Sequence, residues 1–63
     1  MAIHAKKSGL MIAGRVVDET KKNWIFKAID NKGMTVVSKQ DDKNKIFDGE
    51  NAVDEAIKWM GVK

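Results

Sequence analysis

A chain of 63 residues that contains no cysteine must hold itself together by packing and hydrogen bonding alone. A domain of that size buries only about 60% of the surface its unfolded chain exposes, so there is room for one small domain and little else. No disulfide can staple it, and cysteine-based zinc or iron–sulfur sites are excluded. Chains this short often gain stability from a partner or by self-association. The lack of disulfides fits a reducing, cytoplasmic setting.

Apolar residues make up 43% of the chain and charged residues 33%, a globular balance rather than a disordered one. No apolar run approaches the roughly 18 residues that a membrane-spanning helix needs. The opening residues, MAIHAKK, lack the apolar centre of a secretory leader.

Residues 1–8 read as a flexible polar lead-in, and residues 9–63 as a single sheet-plus-helix domain. Residues 10–17, LMIAGRVV, are rich in aliphatic and β-branched side chains and are interrupted by Gly14, which favours a strand over a helix. A second strand is expected at 24–29, WIFKAI, and a third at 34–38, MTVVS. Between them Asp30-Asn31-Lys32-Gly33 has the composition of a tight hairpin turn, with Gly33 closing it through a bulge. Residues 45–47 read as a short fourth strand or as an extended approach to a helix.

The helix is expected at 51–60. Asn51 stands where an N-cap belongs, with Asp54 three residues on and Asp48 as the alternative cap. Glu50, Asp54 and Glu55 gather near its positive end and Lys58 near its negative end. Gly61 occupies the usual position of a C-terminal glycine. Ala52, Val53, Ala56, Ile57 and Met60 fall on one stripe, with Trp59 at its edge.

The fold class that follows is α+β: a three- or four-stranded antiparallel sheet with one C-terminal helix packed on one face. A small SH3-like barrel is the alternative, should Ile46-Phe47 pair back onto the strand at 10–17. A bulged turn at Gly33 would set Ala28 opposite Val36 and Phe26 opposite Ser38. Trp24, Phe26, Ala28, Met34 and Val36 would then face the helix, joined by Leu10, Ile12 and Val16. The opposite face would carry Met11, Ala13, Arg15, Val17, Ile25, Lys27, Ile29, Thr35, Val37 and Lys39. Half of that second face is aliphatic, and an uncovered apolar face of this size marks an interface.

The chain offers little for catalysis, and no enzyme is expected. His4 is the only histidine and lies in the expected lead-in, where termini are poorly ordered, so it reads as solvent-exposed. Without cysteine, and with Ser8 and Ser38 remote in sequence from any base, no nucleophile–base pair is available. The adjacent acids Asp18-Glu19 and Asp41-Asp42 read as solvated loop residues. Asp48-Gly49-Glu50-Asn51 lacks the alternating acids of a calcium loop. No phosphate-cradling glycine loop occurs, so neither metal nor cofactor is expected.

Charge points instead to binding. Twelve Lys and Arg against nine Asp and Glu leave a net charge of +3, and Arg15 is the single arginine. Arg15, Lys27 and Lys39 are expected on the open face, with Lys21, Lys22, Lys43 and Lys45 around its rim. This is the footprint of a phosphate-contacting surface. The aliphatic residues Met11, Val17, Ile25, Ile29 and Val37 on the same face suit a protein interface instead. Trp24 and Trp59 are expected to pack with Phe26 in one cluster rather than to stack on bases.

Trp24-Ile25-Phe26, Gly33, and Phe47 through Ala52, Ala56 and Trp59 together resemble the three-strand-plus-helix domains of integrase-arm DNA-binding proteins. The resemblance implies a sheet laid against DNA. The strands of such domains are Arg-rich, whereas here Arg15 stands alone. The expected function is a small non-enzymatic binding protein: nucleic acid held on the open sheet face, or alternatively a protein–protein module that forms a homodimer or docks on a larger protein as a regulator.

Overall fold

The computed structural model describes residues 1–30 and 33–61. Five strands, β1 (Ala2–Lys6), β2 (Leu10–Glu19), β3 (Asn23–Ala28), β4 (Met34–Ser38) and β5 (Asn44–Asp48), precede one helix, α1 (Ala52–Met60). The strands form one antiparallel sheet in the order β4-β3-β2-β1-β5. The fold is α+β as expected, with five strands in place of three or four.

The added strand is the segment expected to be a lead-in. Ala2 to Ala5 are buried: β1 pairs along one edge with β2 and along the other with β5, Ile3 and Ala5 pack under α1, and Ala2 and His4 lie with Phe26 on the opposite face. A strand buried on both faces shows no alternation of apolar and polar residues, which hides it from a periodicity search. Ile46 and Phe47 pair with His4 and Ile3, not with the strand at 10–17. The two edge strands β4 and β5 curl toward each other, and Val37 and Ile46 share one cluster. No hydrogen-bonded ladder joins them among the described residues, so the sheet stays open rather than closing as an SH3-like barrel.

Strand β2 serves two neighbours in succession. Leu10 through Gly14 pair with β1, and Gly14 through Glu19 pair with β3. Gly14 is the shared residue, and here the backbone of β3 and the ring of Phe26 come closest. A Cβ on Gly14 would stand 2.2 Å from the Lys27 carbonyl oxygen and 2.6 Å from Phe26 Cζ. Only glycine allows that approach. A bulge at Val17, where Asp18 rather than Val17 is paired with Ile25, adds further twist.

The two faces of the curled sheet hold two separate cores. On the convex face Ile3, Ala5 and Phe47 meet Ala52 and Ala56 of α1, with Ala13, Trp59 and Met60 packed at the margin. On the concave face Ala2, Phe26, Val37 and Ile46 gather with Ile12, Val16, Trp24 and Ala28. Trp24 and Trp59 therefore lie in different cores: Trp59 meets Phe47 edge-on at 5.9 Å, and Trp24 packs on the Phe26 side.

The helix was expected over Trp24, Phe26 and Ala28 but covers β1 and β5 instead. Its buried stripe centres on Ala52 and Ala56, while Val53 is exposed. The small alanines let the helix axis sit close to the sheet. Asn51 occupies the N-cap position without a side-chain cap bond; its carbonyl accepts from the Glu55 N–H, and the Ala52 N–H donates to the Gly49 carbonyl. Gly61 ends the helix with φ 73°, donating its N–H to the carbonyls of Ile57 and Lys58.

The pairing of β3 with β4 also differs from expectation. Trp24 lies opposite Val37 and Phe26 opposite Thr35, a shift of three residues from the bulged-turn pairing. An odd shift exchanges the faces of a strand. Val37 is thereby buried in the concave core, while Met34 and Val36 are 63% and 62% exposed. The expected turn residues Asn31 and Lys32 lie outside the described residues.

Candidate binding face and the charges around it

Helix α1 covers only the β1–β5 half of the convex face. Among the described residues no layer covers the half formed by β2, β3 and β4, and strand alternation sets what it displays. Directly opposed across the ladders are Arg15, Lys27 and Met34 in one row, and Asp18, Ile25 and Val36 in the next. Val17 adds its side chain at the bulge, Met11 lies at the boundary with the helix, and Ile29 follows the end of β3. Met11, Val17, Ile29, Met34 and Val36 are all exposed, Ile29 to 79%.

Of the residues expected on this face, Arg15, Lys27, Met11, Val17 and Ile25 are there, with Ile29 at its margin. Val37 is not, for the register reason given above, and Met34 and Val36 take its place. Thr35 likewise lies on the concave side, opposite Phe26. Lys39 is also displaced. It follows β4 on the side of Trp24, pairs with Glu19 at 2.6 Å and lies 5.6 Å from the centre of the Trp24 ring. Its charge is thus satisfied within the molecule.

Arg15 and Lys27 differ from Lys39 in this respect. They face each other across the β2–β3 ladder, and among the described residues neither forms an ion pair. Like charges directly opposed across strands destabilise a sheet. They also flank an open cleft of about 370 Å³ whose other walls are Met1, Gly14, Ala28 and Ile29. The face is therefore aliphatic with two unneutralised cations and one carboxylate, Asp18.

The rim lysines do not form one ring. Lys21 and Lys22 sit in the exposed β2–β3 turn. Lys45 lies on the helix side of β5, 5.3 Å from the Phe47 ring centre. Lys43 lies beside the β1–β2 turn, where it lines a second open cleft of about 440 Å³ with Lys6, Lys7, Ser8 and Asn44. Lys7 is partly committed already: its ammonium donates to the Trp59 carbonyl at the end of α1 and lies 4.4 Å from the Trp59 ring centre. A cation there complements the negative end of the helix dipole.

His4 is not the exposed side chain that its place in the sequence suggests. It is 4% exposed on the concave face, edge-on to Phe26 with ring centroids 5.6 Å apart. Its Nε2 lies 3.1 Å from Asn44 Oδ1. The Asn44 amide donates in turn to Asp41 Oδ2, and Asp41 Oδ1 accepts from the Lys43 N–H. The Lys43 N–H and the Asn44 amide hold the Asp41 carboxyl below the usual carboxylate range. This chain of bonds ties the β4–β5 loop to β1. Sequence alone gave one signal for it, a lone histidine among apolar residues, and the expected disorder of the terminus masked that signal.

Among the described residues no three His, Asp or Glu side chains gather in a geometry that would hold a metal ion. No described helix is long and apolar enough to cross a membrane. The resemblance to integrase-arm domains rests on a three-strand sheet backed by the helix, whereas here the helix backs β1 and β5 of a five-strand sheet. Comparison with protein-family models, with curated proteins and with solved structures finds no match.

Proposed function

We propose that this protein is a non-enzymatic interaction module that docks on another protein through the uncovered β2–β3–β4 half of its convex face. The observation that carries the reading is the composition of that face: exposed Met34, Val36, Val17 and Ile29 around the Arg15–Lys27 pair. Protein interfaces combine an apolar centre with enriched Met and Arg and few other charges. Nucleic-acid interfaces are more polar and far more cationic. With Lys39 neutralised by Glu19 and the rim lysines scattered over three sides, the face has too few free cations to track a phosphate backbone on its own.

The test is paired affinity capture from extracts of the protein's own cells, with the wild type and Val36→Asp compared side by side. Proteins retained by the first and lost with the second support the reading. Identical sets would sink it.

A nucleic-acid reading is favoured by one observation, the unpaired cations Arg15 and Lys27 on a convex surface able to enter a groove. Titrating labelled duplex, single-stranded DNA and RNA at about 50 and 200 mM salt tests it, because binding through phosphates falls steeply with salt. Retained binding at the higher salt, or none at the lower, removes it.

A further inference from the structure

We infer that the partner on this face is a second copy of the chain, set against the first about a two-fold axis. The inference rests on the docking reading above and names the occupant. Its basis is the order of charges on the face.

The row Arg15, Lys27, Met34 lies beside the row Asp18, Ile25, Val36, two residues along β3. Both rows run across the strands in the sequence β2, β3, β4. A two-fold axis parallel to the rows and midway between them turns each row onto the other. Strand positions are kept and rows are exchanged. Arg15 of one copy then meets Asp18 of the other, and the symmetry repeats the contact. Met34 meets Val36, also twice. Lys27 lays its aliphatic stem over Ile25 of the second copy, and its ammonium lies about one strand spacing, roughly 5 Å, from the same Asp18.

The arrangement removes the two features of the isolated molecule that cost stability. The opposed cations Arg15 and Lys27, which form no ion pair with the Asp18 of their own chain among the described residues, gain the Asp18 of the second copy. The exposed Met34 and Val36 leave water. A partner without this order of charges would have to supply its own acid for Arg15 and its own cation for Asp18. The face supplies both to a copy of itself. The interface is small, since the whole chain exposes 4606 Å² and a docked face takes about a tenth of that. Self-association is therefore weak and is read at high protein concentration.

Sedimentation of the full chain from about 10 µM to 1 mM at low salt tests the inference, because salt screens exposed pairs. The wild type is expected to pass from monomer to dimer. Arg15→Asp and Asp18→Arg should each weaken association at least tenfold, and the double exchange should recover most of the loss. Both side chains are exposed, so circular dichroism should show all three variants folded. A wild type that stays monomeric up to 1 mM overturns the inference, while the docking reading still stands if Val36→Asp abolishes capture of other proteins. A dimer that the double exchange restores no better than either single change also overturns it, because the copies then meet in another arrangement.

Discussion

Gly14 and Phe26 fit together by the absence of a single carbon: a Cβ at position 14 would lie 2.6 Å from Phe26 Cζ, with the Lys27 carbonyl oxygen nearer still. Phe26 is the largest fully buried side chain, and Gly14 is the residue at which β2 passes from one partner strand to the other. Neither clash involves the flexible end of a long side chain, so neither yields easily. Gly14→Ala is expected to cost about 3 kcal/mol, at the upper end of ordinary overpacking. In a domain this small that lowers the melting temperature by roughly 12–24 °C. Thermal unfolding followed by circular dichroism checks it, and a shift under a few degrees would contradict the tight approach.

Neighbouring valines on β4 provide a test of register. Val37 is 3% exposed and Val36 is 62% exposed. Val37→Asp buries an unpaired charge and is expected to leave the chain unfolded. Val36→Asp should change stability by no more than about 0.5 kcal/mol. The bulged-turn register would reverse the order, so two urea titrations decide between them.

The bond between His4 and Asn44 predicts a cost that exposure alone would not. Asn44→Ala removes the oxygen that faces a buried imidazole nitrogen and is expected to cost about 1–3 kcal/mol. A substitution at an ordinary surface position stays within about 0.5 kcal/mol. The midpoint of chemical denaturation reads the difference.

Asp41 gives stability a dependence on pH. Its carboxylate is favoured in the folded state by the Lys43 N–H and the Asn44 amide, so its folded pKa is lowered. A lowered carboxyl pKa contributes stability that is present above the unfolded value and is lost as pH falls through the folded one. Wild-type stability should therefore fall on acidification below about pH 4, the ordinary carboxylate range. Asp41→Asn should be less stable at pH 7 and should lose less between pH 5 and pH 2, as urea titrations at several pH values will show.

Lys7 joins the β1–β2 turn to the far end of α1 through the Trp59 carbonyl and ring. Lys7→Ala is expected to cost about 0.5–1 kcal/mol, most of it lost at high salt. The midpoint of chemical denaturation of the wild type and the variant, measured at two salt concentrations, reads the difference.

The helix and its ends were legible in the sequence because they follow from local spacing. The apolar stripe through Ala52 and Ala56, the acids of the first turn and Gly61 at the last all act within a few residues of each other. The strands β2, β3 and β4 were legible for the same reason, as β-branched and aromatic runs bounded by polar turns. Residue parity assigns Arg15 and Lys27 a face only once the first hairpin's register is given, and the β2–β3 ladder supplies the register that sets them opposite each other. Other features depend on which segments meet. Residues 2–6 are an interior strand only because β2 and β5 pair along both edges, and packing against Phe26 on the concave face turns His4 from a terminal polar residue into a core one. The β3–β4 pairing, which exchanges Val37 for Val36 on the open face and takes Lys39 away to Glu19, is a choice of register. Every register satisfies the same backbone donors and acceptors, so side-chain packing against Phe26 and Ile46 makes that choice, and it exists only once the sheet has curled.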